Sequence, residues 1–335
     1  YTPALCSVLY EKTLQEFHDH FKKITFDYKA TLNGLGVEYI QGTIEQVKET
    51  QVNYDYLAIC TGSSYADPWK ANQDCLEMDE RLDYLQKQRQ EYLNANNILC
   101  IGGGPVGVEI VGEIAYRSPQ KSLTLINNGS VVLSSAPNHL GEKAQKILKA
   151  RGISLIMNEK AEKKDEVYVT DKSKQILKPD LVYNCVGVKP NTQFLEKEWV
   201  DGGGYVKVED TLNVHGKSNV FALGDVNNCG EAKLYYAAHM QAMHFCRNLS
   251  RLLNGKQMIP YQHAVPAMFI SIGPYYSVGT MSKLNFSGWP LGQEKGSIIA
   301  AWIKYIIEKI NVQGGSNVEV LINQALYTYN NLKLC

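Results

Sequence analysis

The sequence predicts an α/β protein of the doubly wound type, and three observations predict it. Between residues 98 and 186, short apolar runs alternate with stretches of helical periodicity, the pattern that builds a parallel sheet covered by helices. A glycine bend, Gly102-x-Gly104-x-x-Gly107, falls between one such run and one such stretch. The chain of 335 residues also exceeds what one hydrophobic core usually organises, so two or three domains are expected.

Taken in order, residues 8–22 carry apolar side chains at near-helical spacing. Residues 37–47 and 54–60 read as strands from their β-branched and aromatic content. The second of these runs into the turn cluster Thr61-Gly62-Ser63-Ser64. Residues 70–95 are polar and helical. A strand at 98–101 then meets the glycine bend, a helix is expected over 106–116, and a strand over 122–126. Residues 139–150 are helical, with Arg151 and Gly152 as a charged, glycine-terminated stop. Strands are expected at 153–156, 167–170, 181–186, 205–208 and 219–223, and a long helix over 233–253. From residue 261 onward the chain turns to glycines, aromatics and short strands, followed by an apolar helical segment at 298–310.

Composition excludes several functions. Thirty-four basic residues balance 34 acidic ones, which argues against a nucleic-acid binder. The eight cysteines include no C-x-x-C pair, so neither a redox-active dithiol nor a cysteine-ligated zinc site is expected, and a metal centre is not anticipated. Their scatter through apolar runs suits a reducing compartment. No apolar run approaches the roughly eighteen residues needed to span a bilayer, and no secretory signal pattern is present.

The glycine bend carries the chemistry. Its first glycine permits a tight turn, its second lets backbone approach a pyrophosphate, and its third lets helix and sheet pack closely. The N–H groups and dipole of the following helix then hold the phosphates. An acidic ribose reader normally stands about 20 residues on. Here that place falls at Asn127, which can bond a hydroxyl but would not repel a 2′-phosphate. Arg117 and Lys121 lie nearby in sequence, so both NADH and NADPH stay open, with NADH preferred because no arginine directly follows the strand.

Two further runs, Tyr54-Asp55-Tyr56-Leu57-Ala58-Ile59-Cys60-Thr61-Gly62 and Asn219-Val220-Phe221-Ala222-Leu223-Gly224-Asp225, complete an ordered set. Together with the glycine bend and Val186-Gly187-Val188-Lys189-Pro190-Asn191, they resemble the pyridine-nucleotide-dependent flavoprotein oxidoreductases. Within that superfamily the chain is most similar to the apoptosis-inducing-factor-like, ferroptosis-suppressor quinone reductases and to type II NADH dehydrogenases. The resemblance covers about residues 30–285 and rests on Gly103-Gly104-Pro105-Val106-Gly107-Val108-Glu109 and Ser218 to Asp225.

The resemblance implies two Rossmann-like domains, a nicotinamide domain (68–195) inserted in a partial flavin domain (1–67 and 196–256), with a small α+β cap at 257–335. It implies FAD and NAD(P)H as cofactors, and electron transfer to a membrane quinone or another small acceptor. Thr61 and Gly62 would form a turn passing the flavin, and Gly224 would approach it by backbone. Asp225 would accept a ribityl hydroxyl. Glu109 and Gly187 would line the nicotinamide side, Lys233 would face the isoalloxazine, and Gln241 would stand on the quinone side. As plain structure, Asp225 reads as a helix cap, and Lys233 and Gln241 as solvated polar residues.

In the family, the flavin's own glycine fingerprint precedes everything seen here. The expectation is therefore either a piece of a longer protein or a member that has lost FAD. The alternative functions are a catalytically inactive structural subunit of a membrane-associated, mitochondrial assembly, and a nicotinamide-binding sensor. Residues 298–310, with Asn311 directly after them, set Lys304, Glu308 and Asn311 on one stripe of an otherwise largely apolar helix. That helix would dock on a membrane surface, a protein partner or the protein's own core. The expected state is a peripheral protein on the cytoplasmic side of a membrane or mitochondrion, as a homodimer or a subunit of a larger assembly.

Overall fold

The computed structural model describes residues 7–25, 27–45, 54–65, 68–70, 77–136, 138–263, 267–281 and 284–285. They fall into two compact units, one within 1–41, 65–187 and 266–316, the other within 42–64 and 188–265.

The first unit is built on a parallel sheet of four strands ordered Ser154–Met157, Ser122–Asn127, Asn97–Ile101, Leu181–Asn184. The chain steps outward from Asn97–Ile101 to one side and later crosses to its other side, so a topological switch point lies between Asn97–Ile101 and Leu181–Asn184. Helices Pro105–Arg117 and Asn138–Ala150 make the crossovers between parallel neighbours. Helix Pro105–Arg117 buries Val108, Ile110, Val111 and Ile114, each contributing about 1.5–3 kcal/mol before entropy is counted. An antiparallel meander, Ala161–Lys164, Val167–Thr170 and Ile176–Leu177, fills the longer excursion before Leu181.

Residues 7–41 belong to this unit, which corrects their expected place at the start of the flavin-type domain. Val8, Leu9, Phe17 and Phe21 share its core with Ile98 and Ile110. Tyr10 packs on Tyr92 at 4.5 Å between ring centroids, and Arg89 donates to the carbonyls of Glu11 and Lys12. The single helix expected over 8–22 is broken. Thr13 caps a new start through a reciprocal pair with Glu16, and the helix runs Leu14–Ile24. The strand expected at 37–47 is absent over 37–45, where Ile40 and Ile44 are exposed; among the described residues no strand pairs with this segment, and β-branched content alone makes no ladder. The helix expected at 70–95 begins later, at Met78.

The expected 257–335 cap is divided. Residues 257–263 lie in the second unit, while Ala267–Ser271, Ser277–Met281 and Leu284–Asn285 form an antiparallel sheet in the first. That sheet meets helix Pro105–Arg117 at Gly112, where a Cβ would stand 2.8 Å from Ile272 Cα. The segment 298–310 lies outside the described residues.

The second unit pairs Leu57–Ile59 in parallel with Val220–Ala222, and Ser63–Ser64 antiparallel with Lys189–Pro190. The strand expected at 205–208 reduces to isolated bridges, Val206 to Val200 and Asn227, and Val208 to Val214. Helix Tyr235–Leu253 buries Ala237, Met240, Gln241, His244 and Asn248.

Candidate functional site

In the first unit the site starts from strand Asn97–Ile101, whose Ile98, Leu99 and Cys100 are buried and which ends just before Gly102. Gly102 has φ +113°, and a Cβ there would lie 2.6 Å from Val186 Cγ1 and 2.8 Å from the Cys185 carbonyl oxygen. At Gly107 a Cβ would fall 2.0 Å from the Gly102 carbonyl oxygen. Both positions therefore require glycine for packing. Gly104 differs, since a Cβ there would meet nothing within 4 Å. It is the N-cap of helix Pro105–Arg117, and no side chain caps that helix, while Pro105 sits in its first turn. An open, uncapped helix start beside glycine backbone has the donors and the space that a diphosphate needs.

The bend stands at the carboxyl end of the sheet, at the switch point where open α/β sheets bind ligands. On the neighbouring strand end, Gly187 has φ +85° and open space around its Cα. Tyr65 donates its hydroxyl to the Cys185 carbonyl at 2.6 Å. Burial, helped by Cys185 and Cys100, pushes the Tyr65 phenol well above its ordinary pKa.

Asn127 is used by the bend itself. Its Oδ1 accepts from Gly103 N–H at 3.1 Å, and its Nδ2 donates to the carbonyls of Gly129 and Val131. The side chain expected to read a ribose thus holds the turn in shape. The two nearby cations are also engaged. Lys121 Nζ donates to the carbonyls of Tyr92, Leu93 and Ala95, at the end of helix Met78–Asn94. Arg117 pairs with Glu113 at 2.6 Å and Glu11 at 3.2 Å. Glu109 is buried at 6% exposure and accepts from Ser271 N–H at 3.4 Å.

In the second unit, the parallel strands Leu57–Ile59 and Val220–Ala222 run side by side into two turns. Gly62 takes φ +66°, where a Cβ would meet nothing within 4 Å, and Gly224 takes φ +79°, where a Cβ would meet only Ala238 Cβ. Asp225 Oδ2 accepts from Ser63 Oγ at 2.7 Å. Thr61 donates to the Asn191 carbonyl, and Asn191 Nδ2 returns a bond to the Thr61 carbonyl. Ser63 and Asn191 had no assigned role in the sequence. Their signal was available in position, because both fall within or beside the runs that carry the motif set.

Gln241 is 2% exposed, which overturns its reading as a solvated residue. Its Oε1 accepts from Gly224 N–H and from Asn227 Nδ2, both at 2.8 Å. Its Nε2 donates to Glu231 at 2.8 Å and to Cys229 Sγ at 3.1 Å. Gln241 is thus the brace of the Gly224 turn. Lys233 precedes its expected helix, which begins at Tyr235. Its Nζ donates to the Asn227 carbonyl and lies 5.0 Å from the centre of the Tyr205 ring.

The residues fit the expected cofactors. One unit offers an open helix start for a diphosphate, and the other offers two glycine turns and a carboxylate at the ends of parallel strands, suited to backbone approach and a hydroxyl. Among the described residues no cluster of three or more potential metal ligands occurs.

These features define an α/β dinucleotide-binding protein with Rossmann-like sheet order, the fold class expected from the sequence. Residues 3–242 match the pyridine nucleotide-disulphide oxidoreductase family, and the chain belongs to it. Membership supports FAD and NAD(P)H as its cofactors. The chain is 30% identical over 253 residues to oxidoreductase ptaL of Pestalotiopsis fici, covering 72% of this chain and 66% of that protein. It is 28% identical over 308 residues to apoptosis-inducing factor homolog A of Dictyostelium discoideum, covering 80% and 75%. With ferroptosis suppressor protein 1 of Xenopus laevis it shares 27% over 292 residues, covering 83% and 74%. Among solved structures, an engineered water-forming NADPH oxidase bound to NADPH superposes with TM-score 0.64 at 18% identity, over 84% of this chain and 66% of that one. A ferredoxin reductase from Rhodopseudomonas palustris gives 0.62 at 17%, over 83% and 71%. The resemblance read from the motifs is borne out at the level of family and fold.

Proposed function

We propose that the chain acts as an FAD-dependent NAD(P)H:quinone oxidoreductase. The observation that carries this reading is the uncapped, open helix start at Gly104-Pro105, framed by glycines that packing requires at 102 and 107. Bound FAD supplies the two-electron chemistry that accepts hydride from NAD(P)H and passes electrons onward.

The chain's own residues bind and orient. The N–H groups opening helix Pro105–Arg117 and its dipole hold the coenzyme diphosphate. Gly62 and Gly224 let backbone approach the flavin's chain, and Asp225, fixed by Ser63, accepts a ribityl hydroxyl. Gln241 keeps Gly224 in its left-handed conformation. The commitment of Arg117 and Lys121 to other partners supports NADH over NADPH.

The quinone acceptor is supported by the similarity to ferroptosis suppressor protein 1 and by the absence of a C-x-x-C pair for disulphide reduction. Among the described residues, no helix is long and apolar enough to cross a membrane. The amphipathic pattern of 298–310 supports docking at a bilayer surface.

The test purifies the chain, supplements FAD, and follows NADH and NADPH oxidation with a soluble ubiquinone analogue. Bound yellow flavin and quinone-dependent turnover are expected. Retained flavin with turnover only on another acceptor would overturn the quinone assignment. Coenzyme binding with neither flavin nor oxidation would replace the enzyme reading with a sensor, and no binding of either cofactor would favour a structural subunit.

A further inference from the structure

Cys100 and Cys185 are 85 residues apart in sequence, yet their sulfurs lie 3.5 Å apart. Cys100 pairs in register with Tyr183, and Cys185 follows two residues later on the adjoining strand end. The two-residue period places both side chains on one face of the sheet. That is the face covered by helix Pro105–Arg117, because Cys100 Sγ approaches the Gly107 carbonyl at 3.8 Å. Both residues are buried, Cys100 at 0% and Cys185 at 4% exposure. They bridge the two strands that flank the switch point, directly beneath the glycine bend.

We propose that Cys100 and Cys185 form a redox-sensitive pair, and that closing a disulfide between them deforms the Gly102–Gly107 bend. The oxidant is a hydroperoxide, small enough to reach a buried thiol through local opening. The Cys185 thiolate attacks the peroxide's terminal oxygen, the O–O bond breaks, and the peroxide's other oxygen leaves as water or an alcohol after taking a proton. The Cys100 sulfur then attacks the resulting sulfenic sulfur, forming the S–S bond and releasing water. Two thiols are oxidised by two electrons and one peroxide is reduced.

Closure must shorten the sulfur separation from 3.5 Å to about 2.05 Å. There is little slack to absorb that movement. The Gly102 Cα is packed so closely on Val186 and on the Cys185 carbonyl that even a methyl group would overlap both. Cys185 N–H is also bonded to the Ile101 carbonyl at 2.7 Å. A pull on Cys185 is therefore transmitted to Gly102, and through the Gly102 carbonyl to Gly107. The effect on coenzyme affinity rests on the nicotinamide reading above, whereas the cross-link and its distortion of the bend do not.

The test treats the full chain with graded hydrogen peroxide and maps non-reduced peptides by mass spectrometry. Amide hydrogen exchange over 102–108 and NADH affinity are measured before oxidation, after it, and after dithiothreitol. The expected results are a Cys100–Cys185 linked peptide two hydrogens lighter than the reduced pair, altered exchange across the bend, and NADH binding weakened about fivefold or more, all reversed by the reductant. Cys185→Ala, or Cys100→Ala if the first does not fold, should abolish both link and exchange change. Oxidation confined to exposed Cys60 and Cys246, or a link with unchanged exchange, would overturn the proposal. Link and exchange change in a protein whose reduced form does not bind NADH would instead sink the nicotinamide reading and leave the pair standing.

Discussion

The carbonyl oxygen of Gly102 lies 2.0 Å from the position a Cβ on residue 107 would occupy. The strand end and the first turn of the following helix are thus locked together by the absence of one methyl group. At Gly104, within the same motif, the equivalent space is empty. One glycine serves packing, and the other leaves room for a ligand.

These two roles separate in a pair of variants. Gly107→Ala forces backbone against backbone and should cost about 1–3 kcal/mol of stability or more. Gly104→Ala meets no protein atom and should cost about 1 kcal/mol or less, the price of a poorer N-cap. Its methyl intrudes where the diphosphate would approach, so NADH affinity should fall about tenfold, near 1.4 kcal/mol. Thermal unfolding and NADH titration read the two effects independently. Unchanged affinity in folded Gly104→Ala would place the diphosphate elsewhere.

Asn127 gives a second separation. A ribose reader would gain NADH preference on becoming a carboxylate. As a brace, Asn127→Asp keeps the acceptor for Gly103 N–H but loses both donations to Gly129 and Val131. It also sets a charge against their carbonyl oxygens. Two lost bonds at about 1 kcal/mol each should lower stability by about 2 kcal/mol and weaken NADH and NADPH alike. A rise in the NADH-to-NADPH affinity ratio at constant stability would restore the ribose role.

The sequence made much of this architecture legible, because local signals suffice where apolar periodicity and glycine spacing coincide. The strand expected at 167–170 matches Val167–Thr170, and the helix expected at 139–150 begins one residue earlier, at Asn138. Illegible were features decided by distant partners. Residues 37–45 have strand composition but, among the described residues, no strand pairs with them. Residues 7–24 follow Tyr92 and Arg89 into the first unit's core, a choice fixed by side-chain packing rather than by local propensity. The cysteine pair escaped detection because 85 residues and a strand crossover separate its members, whereas a dithiol motif is recognised by short spacing. Gln241 looked like a surface residue because its partners, Gly224 and Asn227, come from a turn over a dozen residues upstream.

That brace predicts its own phenotype. Gln241→Leu leaves Gly224 N–H without its acceptor and removes bonds to Asn227 and Glu231 in a buried setting. Each unsatisfied buried group costs about 1–3 kcal/mol, so urea unfolding should show a loss of about 3 kcal/mol. Flavin retention should fall with it. A residue acting only at a quinone subsite would behave differently, raising KM for the quinone while unfolding stayed unchanged, and that outcome would restore the sequence assignment.

Acid should weaken the second unit through His244. The ring is 2% exposed, packs edge-on to Tyr261 at 5.2 Å, and has Nε2 within 3.0 Å of the Ile259 carbonyl and 3.1 Å of Asn248 Nδ2. Burial lowers its pKa below the ordinary 6.5, the Ile259 carbonyl opposes that shift, and Arg247 reinforces it. The unfolded chain therefore takes up a proton near the ordinary value, while the folded chain does so only at lower pH. In that interval the unfolded state binds more protons, so stability falls as pH drops. The contribution is complete above the unfolded pKa, is lost progressively from there down to the folded pKa, and stays constant below both. His244→Gln removes the titration while retaining a polar side chain, and should itself be less stable than the wild type at pH 8. The gap between the two unfolding midpoints should narrow on moving from about pH 8 to about pH 5.5, the window set by the downward shift. A gap that widens on acidification would mean that the folded imidazole binds its proton more readily than the unfolded one, contrary to its buried setting.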